Sequence, residues 1–174
     1  MDLKAFAHKD KELFFVDPFT LVDRDSKVWN CACDRVWFLA IKGKGQYLRW
    51  PGHGEDMNRM LGFIHLPPDK PHQVMVEDLV EWVDATNEEE GVVLGVVVTL
   101  ARLKAVVETA PLKTIDLWKA TKMAGDERCL GFQVEGRWRA VLMGHETKPD
   151  KLPAFDLQES EMSGFDLAMS LGSG

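Results

Sequence analysis

The chain is poor in groups that would bridge, span or coat. Of its 174 residues only three are cysteine and one is tyrosine. Cys31, Cys33 and Cys129 are an odd number, and the first two sit too close along one strand to bridge, which excludes a disulfide framework. No apolar run reaches the roughly 18 residues of a membrane helix. Met1-Asp2-Leu3-Lys4 opens no signal-peptide pattern, so the expected location is the cytoplasm, with no membrane partner. Lys and Arg number 21 against 28 Asp and Glu, a net charge of −7. That balance argues against indiscriminate coating of nucleic acid but leaves room for a local basic face.

Chemistry-bearing motifs are also scarce. The cysteines, with His53, His65, His72 and His145, show neither Cys-x-x-Cys nor His-x-x-x-His spacing, so buried free thiols and no metal are expected. Gly43-Lys44-Gly45 and Gly52-His53-Gly54 precede no helix with phosphate-cradling spacing, and no nucleophile elbow is present. His53 and Glu55 read as a polar turn in preference to an acid/base pair. The sequence therefore predicts no cofactor and no enzyme.

What the chain does have is an apolar fraction of 45%, enough for one core, and an internal echo. Leu3-Lys4-Ala5-Phe6-Ala7 is echoed by Leu103-Lys104-Ala105-Val106-Val107, each opening an amphipathic helical stretch. The segment from Trp29 to Gly43 aligns with that from Leu130 to Gly144. In both, an apolar strand runs into an acidic turn, Asp34-Arg35 or Glu135-Gly136, and a Trp then opens a second strand, which is a hairpin signature. The β-type segments 18–23 and 114–119 precede them. The predicted fold is α+β, two pseudo-repeated helix-strand-hairpin units in a domain spanning 1–147.

Repeat one covers about 1–43 and repeat two about 92–144. Between them, residues 46–87 read as a loop-rich insertion from their Pro and Gly density, with a short helix or strand at 76–83. Asn87 to Gly91 reads as a turn before one buried strand at 92–98, and Thr99 as the N-cap of the following helix. Residues 148–174 read as a flexible acidic tail.

A helix, strand and hairpin duplicated within one domain resembles the DNA sliding clamp fold. The segment from Ala32 to Ala40 is similar to the Ala-Thr-Asp-Gly-x-Arg-Leu-Ala hairpin of bacterial clamps. The segment from Glu135 to Met143 resembles the closing strands of a clamp domain, and Thr99-Leu100-Ala101-Arg102-Leu103-Lys104 the start of an inner helix. The resemblance covers roughly 1–43 and 92–144, with Arg35 where the family has Gly and no strand before the first helix. It implies a non-catalytic processivity factor that self-associates and encircles or tethers to duplex DNA in replication. A ring from so short a chain needs about six copies. The cations implied to face DNA are Lys4, Lys9, Lys11, Arg102 and Lys104; as ordinary solvated positions they would do nothing of the kind.

A second reading is a monomeric or dimeric protein-binding or regulatory module without a DNA ring. The tail carries Phe155-Asp156-Leu157 and, ten residues on, Phe165-Asp166-Leu167 with Met169. Phe155, Leu157, Phe165, Leu167 and Met169 are candidates for docking on a replication or regulatory partner, or for folding back on their own domain.

Overall fold

Runs of apolar and aromatic side chains, buried at consecutive positions because both faces of the sheet are covered, make the central strands, and their register decides the fold. The computed structural model describes residues 2–7, 17–34, 36–47, 55–120, 128–146 and 151–157. Phe19–Val22 (β1), Val28–Cys33 (β2) and Trp37–Lys42 (β3) form one antiparallel meander, and Thr114–Ala120 (β7), Cys129–Val134 (β8) and Trp138–Met143 (β9) form another. Antiparallel pairing of β3 with β9 joins them, and His72–Met75 (β4) adds to β7. The sheet has seven strands in the order β1-β2-β3-β9-β8-β7-β4. Mixed helices and an antiparallel sheet give the α+β class.

The β3–β9 register is symmetric about one pair. Leu39 lies opposite Ala140, Trp37 opposite Leu142 and Ile41 opposite Trp138. The β2–β3 and β8–β9 hairpins lie on either side of this pairing and differ in turn length, since Cys33 pairs with Phe38 whereas Val134 pairs with Trp138. At the β8–β9 turn the Arg137 amide donates to the Val134 carbonyl at 2.9 Å, with Gly136 at φ +72°. Glycine reaches that conformation without the Cβ clash other residues meet.

Both faces of the sheet are covered. On one lie helices Val76–Ala85 (α2) and Leu100–Val107 (α3), a hairpin of Glu90–Val93 (β5) and Val96–Thr99 (β6), and a 3-10 turn at Leu3–Phe6. Leu39, Phe132, Trp138 and Leu142 point that way, into a core with Leu79, Val83, Leu103 and Val106. On the other lies helix Glu55–Ile64 (α1), whose Met60 and Ile64, four apart on one helical face, meet Phe38, Ala40 and Val141. Cys31, Cys33 and Cys129 are buried thiols outside any disulfide. Burial pushes the Cys33 thiol up to about 12, with Asp34 adding to it, and pushes Cys31 well above its ordinary value. These are inert core thiols.

Three expectations change. Residues 46–87 are not mainly loop: they supply α1, α2 and edge strand β4. Residues 92–98 are not one strand but a tight hairpin, because Leu94 and Gly95 both take positive φ, +50° and +77°, as a two-residue type I′ turn requires. The first helix is a single 3-10 turn within the described residues. No described helix is long and apolar enough to cross a membrane.

Candidate functional site

Helix α3 carries two of the cations suggested for DNA. Arg102 stacks its guanidinium over the Trp37 ring, 5.7 Å from the centroid. Trp37 in turn donates its indole N–H to the Phe6 carbonyl at 2.8 Å and packs on the Phe6 ring at 5.2 Å. Lys104 turns elsewhere. Its Nζ lies 2.8 Å from Asp84 of α2 and 3.8 Å from Glu108, and the Asp84 hydrogen bond raises its pKa. Residues two apart on a helix do not share a face, so Arg102 and Lys104 present no common cationic surface. The neighbouring face of α2 exposes Glu77, Asp78, Glu81 and Asp84. Lys4 is exposed on the 3-10 turn next to Phe6, and Lys9 and Lys11 lie outside the described residues.

The tail candidates divide likewise. Phe155 and Leu157 pack against their own core, Phe155 edge-on to Trp82 with centroids 5.4 Å apart. Residues 151–157 therefore fold back on the domain instead of forming part of a mobile tail. Phe165, Leu167 and Met169 lie outside the described residues, as does His53. Thr99 stands at the N-cap position of α3 without a capping bond, and its hydroxyl instead lies 2.7 Å from His145 Nε2.

A constellation that sequence reasoning missed sits where α1 ends. The β1–β2 turn, the end of α1 and the β8–β9 turn enclose a polar cleft of about 350 Å³, lined among others by Asp23, Asp25, Lys27, His65, Glu135 and Arg139. Asp23 organises its rim. One carboxylate oxygen accepts the amides of Asp25 and Lys27 at 2.8 and 2.9 Å, and the other accepts the Trp29 indole N–H at 2.9 Å. Burial pushes its pKa up, but these bonds and nearby His65 outweigh that and hold it below the ordinary value. Arg139 forms the opposite wall. It lies 5.4 Å over the Trp118 ring and donates to the Leu66 carbonyl and, at 2.8 Å, to Gln133 Oε1. Burial lowers its pKa to about 10.

Asp23, Asp25 and His65 bring one ligand atom each to within 4.8 Å of one another, a set able to hold a cation. The geometry favours a structural use. Asp23 already accepts three hydrogen bonds, Asp25 is exposed, and Lys27 and Arg139 bring positive charge to the same cleft. His65 Nε2 is buried without a hydrogen-bond partner, 3.9 Å from Asp23. The one signal for the rim in the sequence is Asp23-x-Asp25, the spacing of a side chain that bonds the backbone two residues on. Arg139 gives none, because its partners come from the segment after α1 and from β7 and β8.

Comparison with known proteins adds no family: no family model, curated protein or solved structure matches the chain.

Proposed function

We propose that this chain is a non-catalytic protein-binding or regulatory module, monomeric or dimeric, in which a clamp-like build does not serve as a DNA ring. The observation that carries the reading is the electrostatics of α3. Arg102 is stacked on Trp37, Lys104 is paired with Asp84 and Glu108, and the adjacent helix exposes four carboxylates. A surface of that kind repels phosphates, whereas a sequence-independent DNA contact needs several uncommitted cations together.

A self-associating clamp that encircles or tethers to duplex DNA in replication is the second reading. It is favoured by the sheet's two ends, since among the described residues β1 and β4 each pair on one side only. Met75 on β4 is exposed at 39%. Open strand edges are templates for pairing with another copy. Light scattering at two protein concentrations, with duplex DNA titrated at low and moderate salt, separates the readings. A small particle indifferent to DNA is expected; a mass near about six chains with salt-sensitive DNA binding would support the ring instead.

A further inference from the structure

The β5–β6 hairpin leaves the outer edge of β5 open, and residues 153–155 occupy it. Val92 donates to the Pro153 carbonyl and Phe155 donates to the Val92 carbonyl, both at 2.8 Å, and Ala154 pairs with Val92 in parallel. This is strand addition, the mode by which sheet edges capture extended peptides. The groove is shaped for its occupant. Trp82 forms one wall and receives the Phe155 ring, and Gly91 forms the floor. A Cβ at Gly91 would come within 2.8 Å of Trp82 and Leu100 and 3.2 Å of the Pro153 carbonyl, so only glycine lets the strand lie this close.

The hold on the segment is light. Phe155 and Leu157 are only half-buried and Ala154 is exposed. The sequence also supplies a second candidate of the same pattern. Leu152-Pro153-Ala154-Phe155-Asp156-Leu157 is followed, ten residues later, by Met162-Ser163-Gly164-Phe165-Asp166-Leu167. Both run apolar, variable, small, Phe, Asp, Leu. The small third position matches the residue beside Val92, and the Phe matches the ring against Trp82. Loop-closure entropy grows only with the logarithm of length, so ten more residues of linker are a minor obstacle.

We propose that the groove between β5, Trp82 and Leu100 is a peptide site for an extended apolar-x-small-Phe-Asp-Leu segment, filled here by residues 152–157, and that residues 162–167 of the same chain are its alternate occupant. The exchange frees Phe155 and Leu157 for other contacts without emptying the groove. This deepens the protein-binding reading, yet of α3 the groove uses Leu100 alone, not Arg102 or Lys104, and it involves neither β1 nor β4 at the ends of the main sheet. Its failure would leave the DNA and mass measurements untouched.

Hydrogen exchange at the Val92 amide reads the groove in the full chain, with the Phe132 amide of β8 as a check that the fold persists. In Phe155→Ala/Leu157→Ala, Val92 protection should stay within about 3-fold of wild type, because the second motif takes over. Adding Phe165→Ala and Leu167→Ala should lower it by about 10-fold or more. Equal protection in the two variants, high or low, would overturn the proposal. So would protection in the double variant that rises with protein concentration, since that points to a second copy. Where a variant fails to fold, wild-type protein is titrated with a synthetic peptide of residues 161–171. Faster exchange at the Phe155 amide supports the proposal, whereas no change, or an equal effect from a peptide with alanine at Phe165 and Leu167, refutes it.

Discussion

Trp37 and Trp138 open the last strands of the two meanders and face each other's halves across the β3–β9 seam, yet they live in different surroundings. Trp138 is 1% exposed and donates its indole N–H to the Thr109 hydroxyl at 2.9 Å, just past α3. Trp37 is half-buried and donates to the Phe6 carbonyl, at the end of the 3-10 turn. The device is the same in both halves: the strand's first residue ties back to the end of the helical segment before its meander. What differs is how much is packed behind it. A two-turn helix buries Leu100, Leu103, Val106 and Val107, whereas the 3-10 turn buries Leu3 and Phe6. The second half should be the stability centre and the first the place where opening begins.

The sharpest way to break the comparison is Gly131→Ala on β8. A Cβ there overlaps the indole of Trp118, which is fully buried beneath Arg139 and cannot yield. Overpacking of that kind should cost about 3 kcal/mol in urea unfolding, and a loss below about 1 kcal/mol would show that this part of the core adapts. Next comes the tryptophan pair. Trp138→Phe should cost about 2–3 kcal/mol and Trp37→Phe about 1, because only the former leaves a fully enclosed gap and breaks a buried hydrogen bond. Equal losses would erase the distinction between the halves.

Asp23 sharpens the contrast from the first half. Its pKa is lower in the folded chain than its ordinary value near 3.8, so the stability it contributes is complete above that value and disappears as pH falls through the folded pKa. Asp23→Asn should cost about 1–2 kcal/mol at pH 7 and flatten the decline of stability below about pH 4, measured by thermal melts across pH. An unchanged acid slope would mean that other carboxylates dominate it. The smallest effect is expected at the α2–α3 contact. Lys104→Ala should be indistinguishable from wild type in chemical denaturation, because exposed ion pairs are largely screened. If it also left DNA association unchanged at low salt, α3 would have no part in such contact.

The strands of both meanders are legible because short, largely apolar runs lie on either side of an acidic turn. What was lost has specific causes. In 92–98 the valines on either side of Leu94-Gly95 hid a turn whose one marker is Gly95, since Leu94 is unusual at positive φ. In 46–87 the prolines and glycines drew attention from two helical pairs at i, i+4, Met60 with Ile64 and Leu79 with Val83, which bury α1 and α2. The polar cleft was invisible for a different reason. Asp23 and Arg139 meet there only because the sheet brings the two turns to the same end of α1, a long-range fact that local pattern does not encode.

The β3–β9 seam has a consequence for what its central positions can hold. At the middle of the seam, Leu39 and Ala140 are direct cross-strand neighbours, both fully buried. Together they fill one enclosed volume at the seam, one large side chain against one small, so a larger residue at Ala140 has room only if Leu39 becomes smaller.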